Sequence, residues 1–244
     1  MDIIKKMSQK LTEIKKGQVG TGLLIEHDGY MSLNSKENKV LKESIEKFES
    51  GDLNELPYPF IVSAVFQKYG IENANGRIYP EHVLKRETEK YQIAIKERRA
   101  YGELNHPESS VIDLGRICMN IVELHWIGKT LVGKIELPIS QGFRKYGVVS
   151  TLADMVAQWL ISDLKIGVSS RGLGTVSQMG GKIIVNDDYE IVCWDVVSQP
   201  STPMAWIDKD EHNLKPYIEE NVEVLEDKII IEDKFSKFDD WLNG

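Results

Sequence analysis

Past Asp163 the chain sets down apolar runs too closely spaced for helices to fit between them. Residues 166–170, 174–177, 183–185 and 189–197 are separated by Arg171-Gly172-Leu173, Gly180-Gly181 and Asn186-Asp187-Asp188. Short apolar runs bounded by such turn formers read as strands. Links this short join antiparallel neighbours, because a parallel pair needs a crossover of about a dozen residues or more. Upstream, Ile117–Ile127 and Thr130–Leu137 flank Gly128-Lys129 as a hairpin. Residues 60–66 add another strand, followed by the turn-rich Asn73-Ala74-Asn75-Gly76-Arg77.

Helical spacing appears between these strands. Val40, Leu41, Ile45 and Phe48 mark a helix over 36–49, with Asn34 and Glu37 at capping-box spacing. Pro80 stands where a first-turn proline would open a helix running to about Arg99, and Leu152, Met155, Val156, Trp159 and Leu160 mark another. The fold class this predicts is α+β: a mostly antiparallel, barrel-like sheet surrounded by helices.

Composition narrows the function classes. The chain is 41% hydrophobic and 28% charged over 244 residues, and no apolar run approaches the roughly 18 residues of a membrane span. Its two cysteines, Cys118 and Cys193, have no zinc-like spacing and read as thiols of a reducing compartment. The net charge is −8, and from Asp208 onward twelve acidic and five basic side chains account for −7 of it. Apart from the short N-terminal lysine set, no clustered lysine or arginine is left to bind phosphate backbones, so neither nucleic acid nor membrane is an expected partner. At the N-terminus, Ile3, Ile4, Met7, Leu11 and Ile14 recur among lysines at helical spacing. They predict an amphipathic helix, either packed on the body or serving as a docking or removable peptide.

Three stretches have the makings of chemistry. In Gly102-Glu103-Leu104-Asn105-His106-Pro107 an imidazole sits among polar residues before a proline, a setting for a general base. His27, His82, His125 and His212 have no comparable setting. In Gly167-Val168-Ser169-Ser170-Arg171-Gly172 an apolar strand ends in two hydroxyls before a glycine, where backbone N–H groups could hold an oxyanion. This is neither a nucleophile elbow nor a phosphate loop. In Cys193-Trp194-Asp195-Val196-Val197 a single acid interrupts an apolar strand. Burying it is costly unless a partner such as a histidine meets it.

Together with Asn73-Ala74-Asn75-Gly76-Arg77-Ile78-Tyr79-Pro80, these stretches resemble, in order and spacing, the prohead core serine proteases of T-even-like tailed phages, distant relatives of the herpesvirus assemblins. The resemblance implies a serine endopeptidase that cleaves scaffold and core proteins, the major capsid protein and itself. It would act inside the immature capsid in the host cytoplasm and need neither cofactor nor metal. Family members tend to cut after glutamate. Carried over, Ser170 matches the nucleophile, His106 the base and Asp195 the orienting acid. Adjacent strand residues face opposite ways, so Ser169 is the alternative nucleophile, and Ser170 is preferred because the family's Ser-x-Gly wording falls on Ser170-Arg171-Gly172. Arg171 and Gly172 are the residues expected to support the oxyanion.

The resemblance divides the chain into a removable helical segment at 1–56, a protease domain at 57–207 and an acidic tail at 208–244. Glu211, Glu219, Glu220, Glu223 and Glu226 are then the candidate self-cleavage sites of a zymogen. Assemblin-like enzymes are activated by dimerisation, so a homodimer is an arrangement open to this chain. Two rivals stand beside this reading: a non-enzymatic capsid-assembly protein with an inactive protease fold, and a metal-dependent hydrolase using His106, Glu103 and Asp113.

Overall fold

The computed structural model describes residues 12–26, 30–31 and 38–198. The acidic tail with its glutamates, the Asn34/Glu37 capping pair and most of the N-terminal helix expected from the sequence lie outside these residues. The end of that expected helix is extended: Glu13 bridges in parallel to Leu23, and the Ile14 N–H donates to Leu23 O at 3.0 Å.

Among the described residues, ten strands and four α-helices follow in the order β1 (Gly20–Ile25), β2 (Tyr30–Met31), α1 (Lys39–Glu49), β3 (Phe60–Lys68), β4 (Arg77–Ile78), α2 (Glu81–Lys96), β5 (Tyr101–Glu103), β6 (Ile117–Ile127), β7 (Thr130–Leu137), α3 (Gln141–Tyr146), α4 (Leu152–Ile161), β8 (Gly167–Met179), β9 (Lys182–Val185) and β10 (Glu190–Val197). They form two five-stranded sheets. One has the order β1-β8-β9-β4, with β10 also paired to β8, and the other has the order β2-β3-β7-β6-β5. Every pairing is antiparallel except the two-residue contact of β4 with β9.

The mixed α+β class and the antiparallel bias agree with the sequence reading. The barrel-like closure does not appear among the described residues, where the strands form two open sheets. These meet where Leu104, just past β5, bridges in parallel to Val196 of β10 and the Asn105 N–H donates to Val196 O at 2.8 Å.

The helices form for identifiable local reasons. Thr151 and Asp154 close a reciprocal capping box at the start of α4. Ser140 caps the short α3, which ends at Gly147 in the left-handed conformation. Pro80 proves to be the N-cap of α2 rather than its first helical residue. On α1, Ile45 is buried with Leu41 and Phe48 packed beside it, while Val40, expected on the same face, is 73% exposed. The largest core joins both sheets around the fully buried Trp194, whose ring meets Phe66 and Tyr91 edge-on at 5.5 and 5.0 Å. Burying a large aromatic in this way contributes on the order of 3 kcal/mol or more.

Two boundaries shift from the sequence reading. β1 lies inside the first sheet with Leu23 and Leu24 fully buried, and Ile45 sits in the main core. The described part of residues 12–56 therefore shares a sheet and a core with the strands that follow it. The turn expected at Gly172 is also absent, because β8 runs unbroken for 13 residues. Glycine occupies that position for a packing reason: a Cβ there would fall 2.4 Å from the Tyr189 ring, which is itself fully buried.

Gly172→Ala is accordingly expected to lower stability by about 1–3 kcal/mol through overpacking against Tyr189. Denaturant titration checks this, and a midpoint unchanged from the parent would contradict the packing account.

Candidate active site

The register of β8 against β10 decides which side chains meet. Asp195 pairs directly with Ser169, and Trp194 pairs with Ser170. Directly opposed residues of an antiparallel pair project on the same face, and their chain neighbours project on the other. Asp195 and Ser169 therefore share one face, while Ser170 shares the reverse face with the core residue Trp194.

His106 reaches that face from the second sheet. Beyond β5 the chain is held by the Leu104–Val196 bridge and by Asn105, which adopts φ +62°, a left-handed conformation that asparagine tolerates better than most residues. The next residue then projects its ring between Asp195 and Ser169. His106 Nδ1 lies 2.7 Å from Asp195 Oδ2, and His106 Nε2 lies 2.5 Å from Ser169 Oγ. Both hydroxyl and carboxylate are fully buried, and the His106 side chain is only 7% exposed.

Burial pushes the Asp195 carboxyl pKa up. Its hydrogen bond to His106, the charge of Arg171 and the Glu103 N–H together outweigh this and hold it below the usual carboxylate range. An ionised carboxylate only accepts, so Nδ1 of the imidazole carries the proton. In the neutral ring Nε2 is then the acceptor, and the Ser169 hydroxyl donates to it.

Ser170, the hydroxyl preferred from the sequence, is not at His106. Its side chain is fully buried on the opposite face of the strand. The strand register thus brings Ser169, the alternative hydroxyl, to the imidazole and turns Ser170 away from it. Arg171 also departs from its expected place. Its fully buried guanidinium donates from Nε to Asp195 Oδ2 at 2.8 Å and from Nη2 to Asp195 Oδ1 at 3.2 Å. The backbone of Arg171 and Gly172 is flanked by β1 and β10 on both sides. In that position N–H groups serve sheet ladders rather than an oxyanion.

The remaining sequence candidates separate cleanly. His82 pairs with the exposed Asp187 at 2.6 Å, and His125 lies half-buried beside Glu123. His27 and His212 are outside the described residues. Glu103 faces Arg171 and Arg116 at 3.3 and 3.8 Å and accepts the Asp113 N–H. That leaves the His106, Glu103 and Asp113 metal arrangement without geometric support, and no cluster of metal-ligating side chains occurs among the described residues.

The sequence reading missed a second buried cluster behind β8. Glu26 is fully buried and accepts from Arg77 Nη1 at 2.6 Å, Tyr79 Oη at 2.8 Å, Asn73 Nδ2 at 2.5 Å and Asn75 Nδ2 at 2.8 Å. Its own N–H donates to Ser170 O at 2.7 Å, beside the Ser169 backbone. A signal for it was present in the sequence, since a lone acid follows the apolar run Leu23-Leu24-Ile25 and so calls for a buried cation.

Comparison with known proteins gives a consistent result. A family model described as prohead core protein serine protease matches residues 23–215. The prohead core protein protease of Enterobacteria phage T4 is 30% identical over 170 residues, covering 68% of this chain and 76% of that protein. The solved structure of the bacteriophage T4 capsid assembly protease matches with a TM-score of 0.56 at 21% identity, over 72% of this chain and 98% of that one. At that identity the structural match speaks for the fold.

The depressed Asp195 pKa carries a stability consequence. A carboxyl whose folded pKa lies below its unfolded value stabilises the fold above the unfolded value, and that contribution is lost as pH falls through the folded value. The stability gap between the parent and Asp195→Asn is expected to stay constant above about pH 5 and to shrink below about pH 4, near the ordinary aspartate pKa. Urea unfolding across this range measures it, and a gap that persists unchanged to about pH 2 would contradict an ionised, paired Asp195.

Proposed function

Because this chain belongs to the prohead core protein serine protease family, a maturation protease of phage heads, we propose that its proteolysis is carried by Ser169 as nucleophile, His106 as general base and Asp195 as the acid that orients the imidazole. The observation that carries this reading is the continuous path from Ser169 Oγ to His106 Nε2 at 2.5 Å and from His106 Nδ1 to Asp195 Oδ2 at 2.7 Å.

In this mechanism Ser169 Oγ attacks the scissile carbonyl carbon while its proton passes to His106 Nε2. Asp195 stabilises the imidazolium that forms and keeps Nδ1 protonated throughout. The tetrahedral adduct collapses as Nε2 returns the proton to the leaving amine, giving an acyl-enzyme on Ser169. Water then enters, His106 takes a proton from it, and hydrolysis frees the serine. With Ser169 at 0% exposure the cleft must open to admit a peptide, so a conformational step precedes the chemistry.

The substrates on this reading are the scaffold and core proteins and the major capsid protein, cut inside the prohead within the host cytoplasm. Trimming of the chain's own ends, including the acidic tail at 208–244, belongs to the same proposal, as does a homodimeric active form.

Two single variants separate the hydroxyls. Ser169→Ala is expected to lower processing of a prohead scaffold substrate by at least about 10⁴-fold, the scale of losing a triad member. Ser170→Ala is expected to remain within about tenfold of the parent, because its hydroxyl lies on the other face of the sheet. Gel-based cleavage assays check both. Retained processing by Ser169→Ala together with loss in Ser170→Ala would reverse the assignment, and an inactive parent would favour a non-enzymatic assembly protein.

A further inference from the structure

We propose that Arg171 is a positioning residue for the proteolysis proposed above, fixing both the Asp195 carboxylate and the loop that carries His106; this rests on the Ser169–His106–Asp195 reading. The guanidinium is fully buried and engages three separate segments. On β10 it donates from Nε to Asp195 Oδ2, the same oxygen that meets His106 Nδ1, and from Nη2 to Asp195 Oδ1. Beyond β5, Nη1 donates to Ser109 O at 2.5 Å, three residues after His106. At the end of β5, Nη2 lies 3.3 Å from Glu103 Oε2. Nη2 also contacts Cys193 Sγ at 3.1 Å.

Asp195 Oδ1 also accepts the Glu103 N–H at 3.0 Å and the Cys193 thiol at 3.2 Å, so both of its oxygens are held from several directions. A planar fork of donors suits this role, whereas a lysine ammonium is a single point charge that cannot span three acceptors in one plane. Charge balance requires the same residue. Asp195 and Glu103 are two carboxylates at 0% exposure, and among the described residues Arg171 is the fully buried cation that meets both, since Arg116 is 40% exposed. Without it, two like charges would remain in a medium of low dielectric.

The titratable and charged groups around the Asp195 carboxylate are His106 from the loop, Arg171 from β8, Cys193 from its own strand, Glu103 from β5, Cys118 from β6 and Tyr91 from α2. Among these, Arg171 is the permanent cation. Replacing it with a neutral residue leaves the Asp195–His106 pair holding its first added proton more tightly.

The test uses the full chain and a peptide substrate, with kcat, KM and the pH profile of kcat/KM measured for the parent, Arg171→Met and Arg171→Lys. Arg171→Met is expected to lower kcat by about tenfold or more at nearly unchanged KM and to move the acid limb upward by about one pH unit. Arg171→Lys keeps the charge but not the fork. It is expected to return the acid limb to the parent's position while kcat stays reduced.

An acid limb in Arg171→Met that coincides with the parent's overturns the proposal, as does an equal displacement in both variants. If Arg171→Met does not fold, Arg171→Lys alone decides: reduced kcat with the parent's acid limb supports the role, and the parent's kcat overturns it. Retained activity in Ser169→Ala would remove the underlying triad reading and this inference with it, whereas a silent Arg171 in an enzyme killed by Ser169→Ala removes only the inference.

Discussion

The pairing of Asp195 with Ser169 across two antiparallel strands is the constraint on which the rest of the site depends. It places an acid and a hydroxyl on one face at a separation that a single imidazole can span, and His106 enters between them from the other sheet. A slip of one residue in this register would turn both side chains to opposite faces. The register is held by what lies on the reverse face, where Trp194 packs against Phe66 and Tyr91 in the core. Core packing and active-site alignment are thus two faces of the same strand.

Burying a carboxylate beside an imidazole is costly, and the fold offsets the cost with hydrogen bonds rather than solvent. Asp195 is held by His106, Arg171, the Glu103 N–H and the Cys193 thiol. The same logic recurs behind β8, where Glu26 is saturated by Arg77, Tyr79, Asn73 and Asn75. Arg77 also donates to the carbonyls of Ile14 and Ile25, and Tyr79 stacks edge-on against Tyr189 at 5.1 Å. The Asn73–Tyr79 stretch fastens the end of β1 and Glu26 beside the strand bearing both serines.

Much of this was legible from sequence. Alternating and continuous apolar runs located β3, β6, β7, β9 and β10, and helical spacing located α1, α2 and α4. The three stretches around His106, Ser169-Ser170 and Asp195 are the ones that converge. Choosing between the serines was beyond a linear reading, because adjacent residues differ only in face, and face is set by a partner strand 24 or more residues away, as for Arg171 and Asp195. Gly172 misled for a related reason: glycine signals a turn when read locally, yet here it makes room for the ring of Tyr189. The six-residue α3 was too short to show periodicity, and the role of Glu26 depended on a side-chain partner 51 residues along the chain.

The central claim is that one particular hydroxyl is activated, and covalent trapping addresses it most directly. After reaction of the active protein with a serine-directed fluorophosphonate, tryptic cleavage at Lys165 and Arg171 releases a peptide holding both serines, and fragmentation places the added mass. The account predicts stoichiometric label on Ser169 that disappears in His106→Ala. Label on Ser170, or labelling of Ser169 that does not depend on His106, would contradict it.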